Sequence, residues 1–130
     1  MCVFCRIINK EIPSRIVYED DHVLAILDLA QVTRGHTLVM PKKHIATLMD
    51  CDDDTAAAVI RVIRRLAAQI QQKTGAAGIN ILNNNGEAAG QTVDHLHFHI
   101  IPRYGSTDAF HCEFAESQPQ DLDEVLASLQ

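Results

Sequence analysis

His95, His97 and His99 alternate with apolar residues in the run His-Leu-His-Phe-His-Ile-Ile over 95–101. On an extended chain, side chains at i, i+2 and i+4 share one face, so the three imidazoles point the same way over about 13 Å while Leu96, Phe98 and Ile100 turn into a core. A solvent-facing polar strip could be built as well from Thr, Lys or Glu. Three same-face imidazoles suit a metal site, His-based catalysis, or both. An imidazole nitrogen is nucleophilic and largely unprotonated near neutral pH, its ordinary pKa being about 6.5. Attack on phosphorus by such a nitrogen gives a covalent intermediate that divides one hard displacement into two easier ones. Neighbouring donors can then stabilise charge on the phosphoryl oxygens. The residues themselves do not say which histidine attacks.

Cys2 and Cys5 form a C-x-x-C pair, a spacing that points to metal or redox chemistry. Zinc takes Cys and His, most often four ligands in a tetrahedron. The pair supplies two ligands and two histidines would complete the set; such a closed site is structural rather than catalytic. His22 and His111 read as surface residues, and Cys51 and Cys112 carry no visible role.

These residues need elements to hold them. A short helix is expected over 4–10, stopped before Pro13. Strands are expected at 15–18, 23–29 and 37–40, with Gly35 breaking the chain and Pro41 ending the third. Asp52 or Asp53 caps a long helix to about Thr74, with Val59, Ile60, Ile63, Leu66, Ala67 and Ile70 at helical spacing as core or dimer interface. Strands at 78–83 and 93–102 follow, separated by an Asn- and Gly-rich loop at 84–92. That loop lacks G-x-G-x-x-G and G-K-[ST], so nucleotide binding of those kinds and an organic cofactor are not expected. A short helix is possible at 121–129. Several strands, one helix and more strands favour an α+β fold with an antiparallel sheet.

The 130 residues fit one domain over 1–130, and 47% hydrophobic content is enough for a real core. No apolar run approaches the ~20 residues that cross a bilayer. The start lacks a basic region followed by a long apolar stretch, so the cytoplasm is the expected compartment, and there a disulfide framework is not expected. A formal net charge of −6 argues against a broad nucleic-acid surface. It leaves room for a small phosphate ligand, because local donors outweigh acids beyond a Debye length of about 8 Å.

The run 95–101 resembles the H-φ-H-φ-H-φ-φ motif of the histidine triad family, where φ is apolar. Gly35-His36-Thr37-Leu38-Val39-Met40-Pro41-Lys42-Lys43-His44 resembles that family's G-H-x-L-V-x-P-x-x-H segment, and Gly90-Gln91-Thr92-Val93 its G-Q-[ST]-V. Phe4-Cys5-Arg6-Ile7-Ile8 and Glu11-Ile12-Pro13 are similar to its N-terminal start. The resemblance spans residues 2 to about 104, leaving a tail at 105–130, and is closest to the bacterial nucleotide-binding branch.

The resemblance implies a five-stranded antiparallel sheet with one long helix and a short N-terminal helix, in a homodimer. It implies a nucleotide hydrolase working through a nucleotidyl-histidine, foremost a purine nucleoside 5′-phosphoramidase, with dinucleoside polyphosphate hydrolysis or nucleotide-binding adaptor function as alternatives. His97 would be the nucleophile, His99 a phosphate contact and His36 the residue that orients them. Gln91 and Thr92 would reach the phosphate or leaving group, Asp28 the ribose hydroxyls and Asn84 the phosphate pocket. Ile12, Ile26, Leu27 and Leu29 would sandwich an AMP- or GMP-like base. Zinc would be held by Cys2, Cys5, His44 and His95. Thr92 stands where the eukaryotic branch has Ser, and the chain has no Trp, so it lacks that branch's Trp-containing C-terminus.

Overall fold

The structure is a computed structural model describing residues 2–130. Cys2 starts the first helix, α1 (Val3–Ile8), by accepting the Cys5 N–H on its Sγ. Five strands follow: β1 (Ile16–Glu19), β2 (Val23–Leu27), β3 (Thr37–Pro41), β4 (Gly78–Leu82) and β5 (Phe98–Arg103). They form one sheet in the order β1-β2-β3-β5-β4, antiparallel at every pairing. The architecture is therefore α+β with a five-stranded antiparallel sheet.

The long helix α2 (Asp53–Thr74) is capped by Asp52, whose carboxylate accepts the Thr55 N–H, and ends at Gly75 in the left-handed region. Its buried stripe of Val59, Val62, Ile63 and Leu66 packs against Val23, Ala25, Val39, Phe98 and Ile100. The alternate residues Leu24, Ile26, Leu38 and Met40 turn to the other face and pack with Phe4 of α1. Strands β2 and β3 are covered on both faces, which is why they read as continuous apolar runs. The histidines lie on the α1 side, opposite α2. A last helix, α3 (Leu122–Ser128), lies in a tail whose residues 111–130 are all exposed.

Of the α2 stripe, Ile60 is half exposed and lies outside the core. One expectation changes. The last strand begins at Phe98, not at 93, so His95 and His97 precede it. The reason is competition for backbone groups: the Leu96 N–H goes to the carbonyl of Ile45, and the carbonyl of Pro41 is taken by the His95 ring. The β3–β5 ladder accordingly stops at Val39 opposite Phe98.

Candidate functional site

The histidine face carries two sites separated by Phe4, whose ring stands edge-on to His95 (centroids 6.0 Å apart) and to His97 (5.0 Å). On one side lie Cys2, Cys5, His44 and His95, whose ligand atoms all fall within 4.8 Å of one another. Cys2 Sγ is 3.6 Å from His44 Nδ1 and 3.5 Å from His95 Nδ1, and Cys5 Sγ is 3.2 and 3.6 Å from the same atoms. The two Nδ1 atoms are 3.3 Å apart. A tetrahedral ion with sulfur at about 2.3 Å and nitrogen at about 2.0–2.1 Å sets S···N near ~3.6 Å and N···N near ~3.3 Å.

Protonation supports the same reading. The Nε2 of His95 lies 2.8 Å from the carbonyl of Pro41, which only accepts, so the proton sits on Nε2 and the Nδ1 lone pair faces the cluster. Burial, aided by His44 and His97, holds His95 below the usual imidazole range, although the Pro41 carbonyl opposes this. Burial and the adjacent Cys2 sulfur push the Cys5 thiol up. A bound dication would reverse that tendency. The residues fit a tetrahedral centre of two cysteines and two histidines.

On the other side of Phe4 a cavity of about 290 Å³ opens. Ile26, Leu27 and Leu29 from β2 and its end, with Phe4 and Ile7 from α1, make its apolar wall; Asp28, Thr92, His97 and His99 make its polar end. His97 is 7% exposed, and its Nδ1 donates to the backbone carbonyl of His95 at 2.7 Å. Its Nε2 therefore keeps a free lone pair, the form a nucleophile needs.

His36 lies beneath, buried at the start of β3. Its Nδ1 donates to the carbonyl of Ala30 at 3.1 Å, leaving Nε2 to accept from His99 Nδ1 at 2.8 Å. Burial, then His97 and His36, lower the pKa of His99 to about 4. Asp28 Oδ1 accepts the Ala30 N–H, and its Oδ2 stands 3.6 Å from His36 Nε2. Gln31 staples this turn, donating to the carbonyls of Asp28 and His36 and accepting the Gly35 N–H.

Of the residues singled out in the sequence, His97, His99, Asp28, Thr92, Ile26, Leu27 and Leu29 meet at this cavity, and His36 reaches it through His99. Ile12, Asn84 and Gln91 are not among its lining residues. Gln91 is buried and its amide is occupied: Oε1 accepts the Gly86 N–H, and Nε2 donates to the carbonyls of Ala46 and Val93. It braces the loop that carries Thr92. Asn84 lies beside Gly90 in that loop.

Three residues escaped the reading of the sequence. Phe4 divides the two sites, Gln31 ties the turn before His36, and Asn83 donates to the backbone carbonyl of His97 at 2.9 Å. The run Asn83-Asn84-Asn85 hinted at side chains replacing ladder hydrogen bonds, yet nothing in it distinguishes one Asn from its neighbours.

The HIT domain family model matches residues 9–106. A crystal structure of a HIT family protein from Bacillus subtilis superposes with a TM-score of 0.92 at 46% identity, covering 98% of this chain and 94% of that one. A zinc-bound histidine triad family protein from Mycobacterium smegmatis gives 0.78 at 38% identity, covering 98% and 94%. An adenylylsulfatase of Arabidopsis thaliana, HINT3, is 44% identical over 102 residues, which are 78% of this chain and 52% of the plant protein. Four motifs in order, the strand order and the two bacterial structures matched over 94% of their length lead to one conclusion: the chain belongs to the histidine triad family.

Proposed function

We propose that the protein hydrolyses purine nucleoside 5′-phosphoramidates, or related adenylates, through a nucleotide covalently held on His97. The observation that carries this is the orientation of His97: its Nδ1–H is committed to the His95 carbonyl, and the free Nε2 lone pair serves a cavity with an apolar wall and a carboxylate, Asp28. Nε2 attacks the α-phosphorus, the P–N bond to the amine breaks, and the amine leaves with a proton drawn from the Thr92 hydroxyl or water. Water then attacks the same phosphorus, its proton going to the Thr92 oxygen or to solvent and so replacing the one the amine took, the bond to Nε2 breaks, and the nucleoside monophosphate is released. His99 takes up a proton on Nε2 when the anionic phosphoryl group binds beside it and then donates to the phosphoryl oxygens; Asp28 faces the ribose hydroxyls, and Ile26, Leu27 and Leu29 the base.

Among the described residues, no Lys or Arg lines the cavity. A polyphosphate leaving group would bring several negative charges to a rim whose one formally charged side chain, among those residues, is Asp28, so a small or uncharged leaving group is favoured over a dinucleoside polyphosphate. The plant relative's name, an adenylylsulfatase, is in keeping with a small leaving group on an adenylate.

Zinc at Cys2, Cys5, His44 and His95 would be structural: all four positions come from protein, and the ion would tie α1 and the segment before β5 together, holding Phe4 against His97. Half-exposed Ile60 on α2 and Ile81 on the edge strand β4 support a homodimer.

The test compares wild type with His97→Ala on adenosine 5′-phosphoramidate and on diadenosine tetraphosphate, with samples quenched by alkaline denaturation, which spares a P–N bond, and weighed for a nucleotide adduct. Wild type should release AMP from the phosphoramidate, with an adduct, and His97→Ala should lose about 10³-fold or more in kcat. A wild type inert toward both substrates, or a variant of full activity, refutes the proposal.

A further inference from the structure

The tail and the body differ sharply in charge. The chain has 17 acidic and 11 basic residues, and six of the acidic ones and none of the basic ones follow residue 104. The first 104 residues are therefore neutral, and the tail carries the entire −6. Within the tail, α3 and its C-cap residue place Leu122, Val125, Leu126 and Leu129 at i, i+3, i+4 and i+7, the spacing of one helical face. They are 78%, 37%, 57% and 78% exposed. A seven-residue helix is far below the ~12–15 residues at which an isolated helix becomes even marginal in water. Another surface must cover that face for the helix to persist.

The body offers a groove of the complementary kind. Between β1 and the neighbouring flank of α2 lie two concavities of about 440 and 220 Å³ that meet at Gln69. Val62, Leu66 and Ile70 make the floor on the helix side, and Tyr18 and Val17 the wall on β1. Arg65 and Lys73 stand on the rim. From Thr55 to Thr74, α2 contains Arg61, Arg64, Arg65 and Lys73 and no acidic residue. Among the described residues, none of the four makes an ion pair. The groove follows α2 from Val62 to Thr74, about 18 Å at ~1.5 Å per residue, and α3 needs about 10 Å.

The root of the tail is fixed on the far side of the sheet. Arg103 on β5 reaches Asn80 of β4, Asp108 and the carbonyl of Phe110, and lies over the Phe110 ring. The tail leaves from there with its own groove empty and its own helix uncovered.

We infer that the acidic helix Leu122–Ser128 of one copy docks in the β1–α2 groove of a second copy, its leucine and valine face on Val62, Leu66 and Ile70 and its Asp121, Asp123 and Glu124 on Arg65 and Lys73. This is helix-in-groove recognition with a charge-matched rim. It uses a different face from the Ile60 and Ile81 surface, so the two contacts can fail independently, and it does not depend on the catalytic reading.

Hydrogen exchange of the tail peptide by mass spectrometry tests it on the full-length, metal-loaded chain. In wild type the amides of 123–129 should be protected. Arg65→Glu, which puts like charge against the acidic helix, should speed their exchange about ten-fold or more, and so should Leu126→Ser. Mixing the two variants separates a second copy from the chain's own tail. The intact tail of the Arg65→Glu chain should regain protection in the intact groove of the Leu126→Ser chain, and only docking between copies allows that. Tail amides that exchange at the unstructured rate in wild type, protection that survives Arg65→Glu, or no recovery on mixing each overturn the inference.

Discussion

Asn83 should hold the nucleophile without touching its substrate. The β4–β5 ladder ends at Leu82 opposite His99. One residue on, the side chain of Asn83 acts in place of a strand N–H, donating to the carbonyl of His97 at 2.9 Å. Its Oδ1 accepts from Asn85 Nδ2 at 2.6 Å, and Asn85 Oδ1 accepts the Leu48 N–H at 2.8 Å. The backbone of His97 thus hangs on a chain of amides that reaches the loop before α2. Asn83→Asp keeps the shape and the bond from Asn85, but turns the donor into an acceptor facing another acceptor. Leaving a buried carbonyl unpaired costs about 1–3 kcal/mol, and the carboxylate places this variant at the upper end, above Asn83→Ala. A nucleophile misplaced by a fraction of an ångström should lower kcat by about 10–100-fold. Asn83 does not line the cavity, so KM and the affinity for AMP should stay within about two-fold. Denaturant unfolding of the metal-loaded protein and steady-state kinetics on the phosphoramidate give both quantities. A cycle with Asn85→Ala should show coupling above about 0.5 kcal/mol. An Asn83→Asp protein with unchanged stability and kcat, or one whose defect lies in KM, would falsify this account.

Three further outcomes are expected. Gly35 has φ +97°, and a Cβ there would meet Pro102 Cγ at 3.2 Å and Thr74 Cγ2 at 3.3 Å, so Gly35→Ala should destabilise by about 1–3 kcal/mol, seen as an earlier denaturant midpoint. In ¹⁵N NMR of the free protein, His99 should stay neutral down to near pH 5; its folded pKa of about 4 lies below the ordinary 6.5. Its contribution to stability is then complete above pH 6.5 and is lost as pH falls toward 4, because the unfolded chain takes up the proton first. Elemental analysis should find about one zinc per chain, lost in Cys5→Ser together with a lower unfolding temperature; an unchanged metal content in that variant removes Cys5 from the ligand set.

Much of this was legible because it is periodic. The alternation of Leu96, Phe98 and Ile100 with histidines announces which face is core, and Asp52, the α2 stripe and Gly75 announce a helix and both its ends. What stayed hidden depends on backbone groups meeting at long range. No local pattern says that the Ile45 carbonyl will take the Leu96 N–H, yet that contact and the His95–Pro41 bond set where β5 starts. Leu29 shows the limit from the other direction: an apolar residue ending an apolar strand reads as wall, but it is 88% exposed and covers the cavity from its rim. Gln91, in a glycine-flanked loop, reads as a ligand contact until its three backbone partners are seen.

The early end of β5 joins the two sites. Had the ladder continued past Val39, the backbone before Phe98 would have bonded to β3, and the Pro41 carbonyl would not be free for the His95 ring. Released from the sheet, His95 spends its side chain on the cluster with Cys2, Cys5 and His44 and its carbonyl on the Nδ1–H of His97. One residue thus sets the tautomer of His97 with its backbone and anchors to the cluster with its ring. On the proposed function, a metal held there would govern catalysis by fixing where the His95 carbonyl sits, and so which nitrogen of His97 is free.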